Sequence, residues 1–357
     1  MPIPGGVHED TEAVDGQDIM VSIDIKLQAS VEQALEEGVE PLEASGGSSV
    51  VMDSETGEIY AICSLPYMDP SNMAESEAGS DNLKPITTAF EPGSIFKSVT
   101  ALAVLESGVM GPEDTIFCPA SIQADEYTVS DAHERGDETM SLREILDNSS
   151  NVGISLAAQK MGFDGLIDII NRYKLNEATG VDYPGESSGY MQDYSTWALI
   201  TAYNVCFGQG ISATPLQMTR FYAAVANDGT MVTPHFLISK PQTGERPEYA
   251  VEQVDDDQES IDELKSMMRT VVTDGTGKAA DIEGYDVVGK TSTAEIAGEN
   301  GYRAGVYNLC FTGFIDNSSS SLVCFVSASE VYGGGSVASI FHDIMADAID
   351  LYNIVPE

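Results

Sequence analysis

The chain has 357 residues, 42% of them hydrophobic, which suits one large domain or two smaller ones around a sizeable buried core. Lys and Arg number 16 against 58 Asp and Glu, a formal net charge of -42, and a surface this acidic repels phosphate backbones, which argues against nucleic acid as a partner. No run reaches the roughly 18–20 apolar residues that span a bilayer, and no basic segment followed by an apolar one opens the chain.

Residues 1–20 are polar and acidic without a period and read as a linker. Apolar Ile25, Leu27, Val31 and Leu35 with charges between them predict an amphipathic helix over 25–35. Val- and Ile-rich runs at 48–53 and 58–63, separated by Ser54-Glu55-Thr56-Gly57, predict a β-hairpin, and 66–81 reads as loop. Residues 94–106 are apolar nearly all round, which predicts a buried helix between Pro92-Gly93 and Gly108. Residues 111–139 show no clear period. Ser141 with Glu144 is a capping-box pattern opening a helix to about 147, and a further helix covers 152–161. Thr214-Pro215-Leu216-Gln217 is a second box, with Pro at the first helical position, opening a helix to about 227.

Residues 260–272 read as helix, stopped by Asp274-Gly275-Thr276-Gly277. Three strand-like runs follow at 286–296, 309–315 and 321–329, and a helix over 336–352 closes the chain. Strands from both ends of the chain, with a helical middle between them, predict an α+β fold with mainly antiparallel pairing. The five cysteines, Cys63, Cys118, Cys206, Cys310 and Cys324, form no CxxC pair and no metal spacing with the four histidines. Four of them sit in apolar runs and read as buried small side chains. No metal and no cofactor is expected.

Three short motifs carry chemistry. In Ser94-Ile95-Phe96-Lys97 a serine opens a helix and a lysine three residues on shares its face, so the amine can reach the hydroxyl. A serine needs a base to become a nucleophile, and a lysine serves once burial or a neighbouring cation lowers its pKa. About one Ser-x-x-Lys arises by chance in a chain of this length, so alone it reads by default as a solvated helix face. Ser149-Ser150-Asn151 places a hydroxyl and a carboxamide two residues apart, suited to relaying a proton and holding a substrate amide, or simply to joining two helices. In Lys290-Thr291-Ser292-Thr293 the two threonines point to one side of a strand. A lysine and two hydroxyls at a sheet edge suit a carboxylate ligand, and free backbone N–H groups suit an oxyanion. The ordinary alternative is a Thr-rich edge strand guarded by a lysine.

Taken together, in this order, the three motifs resemble the Ser-x-x-Lys, Ser-x-Asn and Lys-Thr-Gly-Thr set of the penicillin-recognising serine transferases. The wider segments, Glu91-Pro92-Gly93-Ser94-Ile95-Phe96-Lys97, Ser149-Ser150-Asn151-Val152-Gly153, Asp182-Tyr183-Pro184-Gly185-Glu186 and Phe207-Gly208-Gln209-Gly210, are similar to class B penicillin-binding proteins. So are Val51-Met52-Asp53 with Thr56-Gly57-Glu58, Thr214-Pro215-Leu216-Gln217, and Tyr332-Gly333-Gly334 with Phe341. The likeness runs from about Ile23 to Pro356.

The resemblance implies a five-stranded antiparallel sheet flanked by helices, with an all-helical subdomain inserted at about 100–225 and a transpeptidase domain over 21–357. It implies a peptidoglycan D,D-transpeptidase that cross-links stem peptides ending in D-Ala-D-Ala and is acylated by β-lactams. Ser94 would be the nucleophile and Lys97 its base. Ser149 would pass a proton to the leaving amine, and Lys290 would hold Lys97 neutral by like-charge repulsion. Asn151 would bind the substrate amide, the N–H groups of Ser94 and Thr293 would form the oxyanion hole, and Thr291 and Thr293 would hold the terminal carboxylate.

Class B members usually carry an N-terminal anchor and a non-catalytic module. The resemblance therefore implies an excised domain of an extracytoplasmic, membrane-anchored protein. A glycosyltransferase of the division or elongation machinery is a partner the residues do not specify. The family has Gly where this chain has Ser292, and the expectation is that this side chain intrudes on the ligand cradle and slows β-lactam acylation. Two alternatives share the chemistry. A serine β-lactamase needs a further base to activate water, and Glu186 is the carboxylate to check. A non-catalytic β-lactam sensor would acylate without transferring. A D,D-carboxypeptidase would differ only in using water as acceptor.

Overall fold

The computed structural model describes residues 13–298 and 301–356. Of the expected linker, residues 1–12 lie outside the described residues, and 13–19 carry neither helix nor strand.

Five strands, β1 (Gly46–Asp53), β2 (Ile59–Ser64), β3 (Asp286–Gly298), β4 (Gly301–Asp316) and β5 (Leu322–Tyr332), form one sheet in the order β3-β4-β5-β1-β2. Every neighbouring pair is antiparallel. The strands come from the two ends of the chain, as their Val- and Ile-rich runs predict. Alternation along each strand sends side chains to two separate cores. Val50, Met52, Phe314, Val323 and Phe325 join the core of the helical layer. Val51, Phe311, Ile315, Cys324 and Val326 join the core beneath the terminal helices. Because both faces are covered, β1 is buried along its whole length.

The terminal helices α1 (Ile25–Val39) and α9 (Ala338–Tyr352) pack together on the second of these faces. The Asp24 carboxylate caps α1 by accepting the Lys26 and Leu27 N–H groups. Leu27, Val31, Leu35 and Val39 are buried at four-residue spacing. Ile25, two residues before Leu27, points away from that stripe and is 81% exposed.

The other face carries α2 (Lys97–Glu106), α3 (Leu142–Asp147), α4 (Asn151–Met161), α5 (Phe163–Arg172), α6 (Leu199–Cys206), α7 (Pro215–Ala226) and α8 (Gln258–Thr273). Both capping boxes form. Ser141 Oγ accepts the Glu144 N–H while Glu144 accepts the Ser141 N–H, and Thr214 and Gln217 repeat the exchange.

Three features differ from the expectations. Residues 94–96 belong to a 3-10 turn, Gly93–Phe96, and the α-helix begins at Lys97. The region 111–139 holds two small ribbons, Thr115–Cys118 paired with Glu138–Ser141 and Ser121–Ala124 paired with Tyr127–Ser130. The strand expected to begin at 309 starts at Gly301; its first half is mostly exposed or half-buried and has no apolar pattern to mark it in the sequence. All five cysteines are free and buried.

Candidate active site

The nucleophile turn sits where the helical layer meets the edge strand β3. Gly93 has φ +56°, which a side chain disfavours, and its N–H donates to the Gly208 carbonyl at 2.9 Å. Gly208 presses so closely that a Cβ there would lie 2.2 Å from the Gly93 oxygen. Behind the turn, Tyr222 on α7 donates its hydroxyl proton to the Ile95 carbonyl at 2.9 Å and pairs with Ser98 Oγ at 2.9 Å. These contacts leave Ser94 half-buried at the mouth of the site and Lys97, one turn on, fully buried.

Lys97 Nζ lies 3.0 Å from Ser94 Oγ, 3.1 Å from Ser149 Oγ and 2.5 Å from the Ser149 carbonyl oxygen. Burial is the first cause that holds its amine well below the usual ammonium range, and Lys290 adds to it while Asp131 opposes. Lys290 is also fully buried; its Nζ donates to Ser149 Oγ at 3.1 Å and to the Thr291 carbonyl at 3.1 Å. Burial pushes Lys290 down to about 7, against the favourable charge of Asp147.

Ser149 adopts φ +56°, in the left-handed region, at the junction between α3 and α4. The junction is pinned from outside by Asp131. Its carboxylate accepts the Ser150 hydroxyl at 2.8 Å and the Val152 N–H at 2.9 Å, and pairs with Arg135 at 2.5 Å. Asn151 donates its amide to the Ser130 carbonyl at 3.1 Å, which orients the carboxamide. Asp131 was not legible as a site residue, because it lies in a patternless stretch and reaches the junction only through the ribbon Tyr127–Ser130 that precedes it.

On β3, Lys290 and Ser292 are buried while Thr293 is exposed and Thr291 partly so, as strand alternation requires. Thr276, read in the sequence only as part of a helix stop, brings its hydroxyl within 2.6 Å of the Thr291 hydroxyl. Ser292 is not part of the open cradle. Its side chain is 4% exposed and faces the nucleophile turn, where its hydroxyl donates to the Pro92 carbonyl at 2.9 Å and accepts the Ser94 N–H at 2.8 Å. The expectation that Ser292 crowds a ligand is therefore corrected: one residue's alternation along β3 turns it to the opposite side from Thr291 and Thr293.

Glu186 is committed elsewhere. Its carboxylate accepts the N–H and hydroxyl of Thr179 and the N–H of Gly180, closing its own loop.

A five-stranded antiparallel sheet with a serine and a buried lysine beside its edge strand is the arrangement of the penicillin-recognising serine enzymes as a class. The chain belongs to the penicillin-binding protein transpeptidase domain family, whose model matches residues 47–346. It is similar to penicillin-binding protein PbpB of Mycolicibacterium smegmatis, at 32% identity over 374 residues covering 99% of this chain and 57% of that protein. It is similar to peptidoglycan D,D-transpeptidase FtsI of Escherichia coli, at 31% identity over 366 residues covering 99% of this chain and 60% of that protein. Among solved structures it resembles penicillin-binding protein 3 of Mycobacterium tuberculosis complexed with aztreonam, with a TM-score of 0.87 and 31% identity over 97% of this chain and 82% of that one. The chain thus spans less than two thirds of the curated relatives' length.

Proposed function

We propose that this domain is a peptidoglycan D,D-transpeptidase that works through a Ser94 acyl-enzyme and is acylated by β-lactams. The observation that carries this reading is the position of the buried Lys97 amine, 3.0 Å from Ser94 Oγ and 3.1 Å from Ser149 Oγ.

A neutral amine has two protons and one lone pair. With its protons given to the Ser149 carbonyl and hydroxyl oxygens, the Lys97 lone pair faces the Ser94 hydroxyl. Lys97 takes the Ser94 proton as Ser94 Oγ bonds to the carbonyl carbon of the penultimate D-Ala. The oxyanion is received by the N–H groups of Ser94 and Thr293. Ser149 Oγ accepts bonds from both lysines, so its own proton is free to pass to the leaving amine. Lys97 replaces that proton and returns to the neutral state. The carbon–nitrogen bond breaks, D-Ala leaves, and an ester to Ser94 remains. An acceptor amine then attacks the ester, and its proton travels back by the same groups.

Asn151, oriented by Ser130, offers its free oxygen to a substrate N–H, and the hydroxyls of Thr291 and Thr293 suit the terminal carboxylate. Thr276 supports Thr291 in that role. Glu186, already holding three donors, is poorly placed to activate water, which favours transfer over β-lactam hydrolysis. A peptidoglycan substrate supports an extracytoplasmic position for the domain, and this reading includes a membrane anchor and a glycan-polymerising partner for the full-length protein. Incubation with a donor peptide ending in D-Ala-D-Ala and an amine acceptor should release D-Ala and form a cross-linked product. Release of D-Ala without product would instead assign a carboxypeptidase.

A further inference from the structure

The Ser94 N–H already has an acceptor. Ser292 Oγ takes it at 2.8 Å, inside the protein, while giving its own proton to the Pro92 carbonyl at 2.9 Å. The two bonds straddle Gly93 like a staple. The fit is tight, since a Cβ on Gly93 would stand 2.5 Å from Ser292 Oγ and 2.7 Å from the Ala294 Cβ. Ser292 is 4% exposed, so water does not compete for this hydroxyl.

A hydroxyl has one proton. With that proton held by Pro92, Ser292 can only accept at Ser94; it cannot donate to an oxyanion. We propose that Ser292 is a resident acceptor that competes with the substrate oxyanion for the Ser94 N–H, making it a rate-limiting positioning residue of acylation. The inference rests on the acyl-transfer reading, in which the Ser94 N–H is an oxyanion donor. It replaces crowding as the route by which Ser292 acts. The side chain never reaches the ligand; it weakens one of two donors from behind. When the oxyanion forms, the N–H either leaves Ser292 or is shared between two acceptors, and each course reduces what that donor contributes in the transition state. A glycine at 292 would leave the N–H unclaimed.

Removing an oxyanion-hole donor outright costs roughly 10²–10³ in rate. Releasing a donor that is partly claimed should return a fraction of this, on the order of tenfold. The test compares wild type, Ser292→Gly and Ser292→Ala. Alanine keeps the Cβ and the strand's volume while removing the acceptor, so the result does not depend on the glycine variant folding. Two quantities are read. One is the second-order rate constant of acylation by a fluorescent penicillin. The other is the infrared stretch of the acyl-enzyme ester carbonyl, which falls in frequency as its hydrogen bonds strengthen.

The proposal expects both variants to acylate about tenfold faster, with the ester carbonyl shifted to lower frequency. Unchanged or slower acylation in both, or an unmoved carbonyl, overturns it. A gain in Ser292→Gly alone also overturns it, because that result assigns the effect to the Cβ. Mass mapping of the adduct separates the two levels of argument: an adduct away from Ser94 refutes the acyl-transfer reading itself, whatever the rates.

Discussion

Lys97 and Lys290 converge on a single oxygen, each placing its Nζ 3.1 Å from Ser149 Oγ. Two ammonium groups on one buried hydroxyl are not both sustainable in a dry site, so the pair favours a state with at least one neutral amine. Burial is the main cause that lowers both amines; Lys290 lowers Lys97 further, while Asp147 favours the charge on Lys290.

Replacing Lys290 should therefore move the base. In Lys290→Met the neighbouring positive charge is gone, and the Lys97 pKa rises. The ascending limb of acylation rate against pH should shift to higher pH. At pH 7 the rate should fall on the order of a hundredfold, since a hydrogen-bond donor that orients Ser149 is also lost. A limb that stays in place would remove Lys290 from the tuning of Lys97.

The same pair sets a stability trend. The Lys290 pKa is about 7 folded against an ordinary lysine value of 10.5. Between these values the unfolded chain holds one more proton than the folded chain, so stability rises with pH at about 1.4 kcal/mol per unit for this group. The contribution is complete above the unfolded value and is lost progressively as pH falls from there to about 7. Urea unfolding of wild type should gain on Lys290→Met between pH 7 and 9. Parallel curves would mean that Lys290 keeps an ordinary pKa.

Asp131 acts in the opposite sense to Lys290. Its charge favours protonated Lys97, and its carboxylate holds the start of α4. Asp131→Asn should shift the acylation limb to lower pH. It should also destabilise the domain by about 1–3 kcal/mol through the weakened cap and the unpaired Arg135. A stability loss without the downward shift would make Asp131 structural only.

Gly208→Ala is expected to disable the nucleophile turn from a distance. Its φ of +77° disfavours a side chain, and its Cβ would meet Gly93 backbone oxygen and nitrogen at 2.2 and 2.7 Å. Backbone cannot move aside as a flexible side chain can, so the turn must shift. A displacement of about 1 Å costs on the order of 10²-fold in rate. Acylation by fluorescent penicillin should fall by this factor while far-ultraviolet circular dichroism is kept.

How much of this was legible in the sequence differs between elements. The capping residues Ser141 and Thr214 act through neighbours three residues away, so their boxes were readable, and so was the Val-rich hairpin with its Gly57 turn. The ribbon Thr115–Cys118 pairs with Glu138–Ser141, a partner more than twenty residues distant, and its strands are four residues long and half exposed. No local pattern marks such pairing. Helix α5 is different: Leu166, Ile169 and Ile170 form a buried stripe at helical spacing that the sequence does show. At the site, Ser94, Lys97, Ser149 and Lys290 form one cluster. Thr276 and Asp131 enter it only through tertiary contacts. The orientation of Ser292 follows from strand alternation, but its bond to the Ser94 N–H depends on how closely the turn approaches β3.

The most direct test of the acyl-transfer account is mass spectrometry of the intact and digested protein after penicillin treatment. The account predicts one covalent adduct, on the peptide containing Ser94, stable enough to isolate and absent from Ser94→Ala. An adduct on another residue, or one that persists in Ser94→Ala, would contradict it.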